Sequence, residues 1–278
     1  MAYEPTVSLF YDAPAPRAEV FFSSFAPGTA SVTVYRESGG RTYQVRGGVR
    51  AVTAGTLSRI DHEIPAAEFT YWAEMFDAAG LPLGKTGTTS VTAWFEDTWL
   101  HNPLDPQGAV RVMFRPQATR ELSRPVAGQV VHPQGRRVGV VVGTERKGLM
   151  GVNLDVVTDT IEDADRVRAL LGDYNTTTVP VLCFRIGALD RIRIPSPLFV
   201  GVLDIVEADV NYASGWGEQI DHLIEGDEVD PPLPGLFIPT LTNGDLKAAY
   251  ATNAAMKADN ASNGALLRRY DLAGLAGA

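Results

Sequence analysis

Short runs of alternating Val, Thr, Tyr and Phe, each cut by a turn, fill most of this chain, and a single clear helix-period segment interrupts them. A strand points successive side chains to opposite faces, so an alternating run buries one face only by packing against a second layer. Strands joined by tight turns pair antiparallel. "SGG" at Ser38–Gly40 lies between "ASVTVYRES" and "RTYQVRGG", and "AAGLP" lies between "FTYWAEMFD" and "PLGKTGTTSVTAW". Both read as hairpins. With "TVSLFYD" and "EVFFSSF" they predict an antiparallel sandwich of about seven strands over residues 1–98. The high Gly and Pro content, 27 and 18 in 278 residues, supplies the punctuation.

"EDTWLHNPLDPQG", Glu96–Gly108, holds two prolines, ends the pattern and reads as a boundary. A second β region, 99–229, follows. "AVRVMFRP" is a strand, and "RPVAGQVVHPQGRRVGVVVG" holds two strands around the turn His132–Gly135. "KGLMGVNLDVVTD" alternates in part. "TDTIEDADRVRALLGD" predicts one helix near 160–171. Thr158, Asp159 or Thr160 can cap it, Glu162 and Asp163 suit its positive end, and Gly172 stops it. Ile161, Ala164, Val167, Leu170 and Leu171 share one apolar face. Strands resume in "VPVLCFRIG", "RIRIP", "LFVGVLDIVEADVNY" and "EQIDHLIEGDEV". Strands, one short helix, then strands is not the alternation of a doubly wound fold. The fold class is therefore mainly β: an antiparallel sandwich, then a sandwich or barrel carrying one helix.

Residues 230–278 form a third region. "DPPLPGLFIPT" is a proline-stiffened spacer. Thr242 or Asn243 can then cap a helix through Leu246, Ala249, Tyr250 and Ala254, which Asn253, Asn260, Asn263 and Gly264 weaken. Leu266, Leu267, Tyr270, Leu272 and Leu275 restore apolar character. Such a segment is marginal alone in water. It reads either as a frayed tail or as an arm that orders against a neighbour.

The chemistry-bearing residues are sparse. A net charge of −9 argues against nucleic acid as a specific partner. Cys183 is alone, which excludes an intrachain disulfide and a Cys-rich zinc site, and its apolar strand makes it core filler. "MAYEPTVSLFYDAP" lacks the layout of a signal peptide, and no apolar run approaches the ~20 residues of a membrane span. "GTERKG" at Gly143–Gly148 is no phosphate loop, and neither a nucleophile elbow nor a zinc-protease pair occurs. His62, His101, His132 and His222 fall in separate segments. Among the carboxylates Asp155, Asp159, Asp204, Glu207 and Asp209, those of "DIVEADV" read as a solvated strand face. A carboxylate pair meeting in one cleft is the remaining route to hydrolysis. Trp94, Trp99 and Trp216 lie at apparent domain edges, where they either seal junctions or stack on sugar rings. The expectation is no enzyme, with no catalytic, cofactor-binding or metal-binding residues and no cofactor.

Two resemblances sharpen this. In "DHEIPAAEFTYWAEMFD", Ile64 and Pro65 precede Tyr71 as a Pro-bearing turn precedes strand F in fibronectin type III domains. In those domains a Tyr hydroxyl ties back to the loop backbone. Tyr71 and Trp72 read either as such a corner, with Trp72 on the opposite face, or as simple core packing. Arg124–Val210 resembles the belt domain of the distal tail protein family, among the minor tail proteins of bacteriophages with long non-contractile tails, particularly those infecting actinobacteria. The shared features are a strand carrying a basic residue, a helix of the "D-A-x-x-L-x-x-L-L" kind at Asp163–Leu171, an apolar strand, and a last strand starting at Val200. "DLKAAYAT", Asp245–Thr252, resembles phrases of tail-fibre and minor tail proteins. Family members usually begin with the belt domain, whereas here it comes second.

The resemblance implies a structural virion protein of the phage tail tip, made in the host cytoplasm. It implies a homo-oligomeric ring, commonly a hexamer, that joins the tail tube to the tip. Its partners would be the tail tube protein, the hub and tape measure, and other minor tail or receptor-binding proteins, with no membrane span and no specific nucleic-acid binding. The alternatives are a carbohydrate-binding adhesion module of the tail tip and a cell-wall hydrolase.

Overall fold

A computed structural model describes residues 3–172, 178–190, 192–210, 218–233 and 243–260, with 266 and 272. The first 98 residues hold β1 (Thr6–Phe10), β2 (Arg17–Phe22), β3 (Ser31–Ser38), β4 (Arg41–Gln44), β5 (Ala51–Val52), β6 (Leu57–Asp61), β7 (Glu68–Phe76), β8 (Pro82–Lys85) and β9 (Thr89–Thr92). They form two antiparallel sheets, one ordered β1-β2-β6 and the other β4-β3-β7-β8, with β5 on β3 and β9 on β7. Alternation selects the core. Phe69, Tyr71, Ala73 and Met75 of β7 are buried against Val20, Phe22, Val32 and Val34. Trp72 points the other way, stacks on Tyr35 at 4.3 Å between ring centroids, and carries Lys85 over its face. Between β8 and β9 the Thr86 hydroxyl accepts from the Ala73 amide of β7 at 2.9 Å.

The second region begins with β10 (Thr98–Asn102) and β11 (Asp105–Phe114). The stretch read as a boundary is thus partly a hairpin. The Asn102 side-chain Oδ1 accepts from Leu104 N at 3.0 Å, while its Nδ2 donates to Leu170 O and Val179 O at 2.9 Å each. The prolines mark a turn there as well as a junction. Next come β12 (Val126–Val131), β13 (Val140–Arg146), β14 (Val152–Asn153), β15 (Val156–Thr158), α1 (Ile161–Ala169), β16 (Val181–Arg185), β17 (Leu198–Gly201), β18 (Ile205–Asp209) and β19 (Ile220–Glu228). "RIRIP" is no strand: Ile194 is buried in the core as loop, and Arg191 lies outside the described residues.

Six strands, β19-β15-β11-β10-β16-β17, close on themselves through the β17–β19 pairing. The result is a six-stranded antiparallel barrel. Closure satisfies backbone groups that an open sheet leaves at its edges. The seam demands glycine: a Cβ on Gly226 would lie 2.4 Å from the Gly201 carbonyl oxygen. Leu100, Val110, Val112, Leu154, Val156, Leu182, Phe184 and Val200 fill the core, and Val167 and Leu170 join it from the helical segment. Thr160 caps α1, its hydroxyl accepting from Asp163 N at 3.1 Å, and Ile161 is exposed.

Sandwich and barrel belong to one compact unit, Met1–Leu236. Ala188 N donates to Phe95 O at 2.8 Å, Arg41 pairs with Glu228 at 2.8 Å, and the buried Arg185 donates to Pro16 O. The second unit, Phe237–Ala278, holds α2 (Asn243–Ala249) and α3 (Asn253–Asp259). The expected single helix to Ala254 breaks after Ala249, and Thr252 caps the restart by accepting from Ala255 N at 3.2 Å. Most of the proline spacer, with Leu267, Tyr270 and Leu275, lies outside the described residues.

Candidate assembly interface

The hairpin β12–β13 stands apart from both cores. All of its strand residues are exposed, yet it is rich in valine. Its register places Val130 opposite Val141 on one face, and Val131 opposite Val140 on the other. Val130 is 60% and Val141 72% exposed. β-Branched side chains exposed on both faces of one ribbon make an apolar surface of the kind that marks interaction sites, and an isolated two-stranded hairpin is marginal in water. With strands of six and seven residues it reaches about 20 Å. The segment carries Arg124, Arg136, Arg137, Arg146 and Lys147 against Glu145 alone. Arg136 and Arg137, at the tip, are exposed and form no ion pair among the described residues.

A second unpartnered strand lies on the barrel. β18 pairs with β19 along one edge and has no strand on its other edge among the described residues. On its outer face Val206 sits opposite Leu223, both exposed. Carboxylates lie beside this apolar pair: the register continued puts the exposed Asp204 and Glu225 together on one side of it, and on the other Asp221 pairs with Arg115 at 3.1 Å. Glu207 and Asp209 alternate to the opposite face, where Glu207 lies opposite the buried His222. No Lys or Arg occurs in 203–210 or 218–228.

The remaining polar residues build structure. Tyr71 Oη donates to Asp61 Oδ2 at 2.8 Å, Arg36 Nη1 donates to the same oxygen, and Glu63 N donates to Oδ1 at 2.8 Å. Tyr71 is thus packed in the core with its hydroxyl on a carboxylate, whereas the corner implied by the fibronectin resemblance would close on loop backbone. Burial works to raise the Asp61 pKa, but the Arg36 charge and these hydrogen bonds outweigh it and hold the carboxyl below its usual range. Asp155 bridges two strands, accepting from Ile224 N at 3.0 Å and from Asn153 Nδ2 at 2.9 Å. Cys183 is buried, and burial raises its thiol pKa.

The histidines do not assemble a ligand set. Burial and the Arg185 charge push His62 down to about 3 and His101 well below its normal value. Burial also lowers His222, whose Nε2 lies 3.1 Å from Thr158 Oγ1. His132 is exposed at the hairpin tip. Among the described residues no group of three or more His, Cys, Asp or Glu could hold a metal ion, and no helix is long and apolar enough to cross a membrane.

One cleft of about 1000 Å³ is lined by Tyr35, Tyr43, Arg46, Glu63, Phe199 and Glu228. Burial raises Glu63, while backbone and Arg41 hydrogen bonds overcome burial and lower Glu228. Each carboxylate is bound to an arginine, Glu63 to Arg46 at 3.1 Å and Glu228 to Arg41. That coupling makes both part of the scaffold. Trp94 is 60% exposed, with its amide 3.3 Å from the hydroxyl of the exposed Tyr11. Trp99 is partly buried against the sandwich core, and Trp216 lies outside the described residues.

Against protein-family models, curated proteins and solved structures, the chain gives no match. No candidate site residues arose from sequence motifs, so the two exposed strand surfaces are the finding that sequence reasoning missed. The run "VGVVVG", apolar without alternation in a segment rich in Arg, was their available signal.

Proposed function

We propose that this chain is a non-enzymatic virion protein of a bacteriophage tail tip, assembling through the β12–β13 hairpin into a closed ring. The observation that carries the reading is the valine-rich hairpin whose faces are exposed and whose outer edges have no paired strand among the described residues. Strand edges of this kind extend a neighbour's sheet, and a head-to-tail contact whose rotation closes makes a ring. The resemblance of Arg124–Val210 to the distal tail belt domain supplies the biological setting, and a barrel carrying one short helix agrees with it. The ring would join tail tube to tip and hold hub or receptor-binding proteins. The N-terminal sandwich fits a fibronectin type III-like decoration, because its sheets pair β1-β2-β6 and β4-β3-β7.

Size-exclusion chromatography with light scattering tests this. A single species of uniform mass, several copies of 29.9 kDa, with ring-shaped averages in negative-stain microscopy, is expected. A stable monomer at tens of micromolar would sink the reading.

The exposed Trp94 beside Tyr11 favours one second reading, a carbohydrate-binding adhesion module. Retention of a stable monomer on host cell walls, lost in Trp94→Ala, would select it.

A further inference from the structure

We infer that the occupant of the β18 edge is the β12–β13 hairpin of a second copy of this chain, so that the assembly contact is head-to-tail. This rests on the ring reading above and names the receiving surface. Both elements offer backbone edges with no paired strand among the described residues, as β-augmentation requires. Both present small apolar pairs: Val130 and Val141 on the hairpin, Val206 and Leu223 on the barrel. The charges are opposite. Arg136, Arg137, Arg146 and Lys147 on the hairpin would face Asp204 and Glu225, which share the face of the Val206–Leu223 pair. Such complementarity fixes the partner and disfavours hairpin-to-hairpin contact, which would bring like charges together.

The geometry makes the contact heterologous, since donor and receiver are different patches of one chain. Each copy then has one donor and one receiver, and copies add until the ring closes. Asp204 and Glu225 set the register by charge, while the Val206–Leu223 pair gives the apolar centre.

Complementation between two blocked variants tests the inference. Val130→Asn with Val141→Asn blocks the donor without adding charge, and Asp204→Arg with Val206→Arg blocks the receiver. All four positions are exposed, and circular dichroism and thermal unfolding verify that each variant folds. Each variant alone should run as a monomer in light scattering. An equimolar mixture should give dimers and nothing larger, because one good donor meets one good receiver and both remaining ends are blocked.

If the receiver-blocked variant still forms the wild-type assembly while the donor-blocked one is monomeric, the hairpin docks elsewhere: this inference fails and the ring reading stands. If both variants are monomeric and their mixture stays monomeric, the head-to-tail contact is refuted. If the wild type itself is monomeric, both readings fall together.

Discussion

Replacing Asp61 by Asn tests the most concentrated set of buried interactions in the sandwich. The carboxylate is 3% exposed. It neutralises the fully buried Arg36 and accepts hydrogen bonds from Tyr71 and the Glu63 amide. The substitution keeps shape and removes the charge, leaving a guanidinium that has no water to turn to. Breaking a buried pair this way costs about 3–5 kcal/mol. Tyr71→Phe is the control, since it deletes one hydrogen bond to a charged acceptor, worth about 1.5–3 kcal/mol. With a urea slope of about 3 kcal/mol/M the Asn variant should lose on the order of 1 M in its midpoint. Tryptophan fluorescence reads the transition, because Trp72 stacks on Tyr35 in the same sheet. The native Asp61 pKa is lowered, so its stabilisation is present above about pH 3.9 and is lost as pH falls through the lower native value. The gap between wild type and Asp61→Asn should shrink in acid. A midpoint loss no larger than that of Tyr71→Phe, or a gap unchanged in acid, would refute the argument.

Three other outcomes are expected. His62 and His101 are buried neutral with pKa values pushed down, His62 to about 3. Their unfolded forms take up protons near pH 6.5 and their folded forms do not, so stability is retained above that pH and lost as pH falls below it. Each can add a slope of up to about 1.4 kcal/mol per pH unit, and a urea midpoint flat from pH 7 to 5 would contradict this. Gly226→Ala should destabilise the barrel by about 1–3 kcal/mol, read as a lowered thermal midpoint, because its Cβ meets the Gly201 carbonyl; an unchanged midpoint would mean the seam can open without cost. Under the proposed tail-tip reading, deleting residues 230–278 should leave the number of subunits per oligomer unchanged in light scattering while abolishing capture of the next tail component; loss of the ring would show that this segment belongs to the assembly contact.

The sequence alone determined the local units. Alternation in "EFTYWAEMF" selects Phe69, Tyr71 and Ala73 for the core and turns Trp72 outward, because strand geometry dictates it. The hairpins at Ser38–Gly40 and His132–Gly135 follow from turn chemistry, and the helix follows from its cap and apolar face. These are near-neighbour effects, and near-neighbour rules read them. Tertiary structure decided the rest. Barrel closure joins β17 to β19, and Gly226 passes Gly201 there, a contact between residues far apart in the chain that no periodicity announces. Arg36, Asp61 and Tyr71 meet because three strands in two sheets bring them together, so their charges are tolerated only through that geometry. The valines of β12–β13 make the same point in reverse. An apolar strand is expected to be buried, and only the folded chain shows these left in solvent, since burial depends on what the rest of the molecule covers.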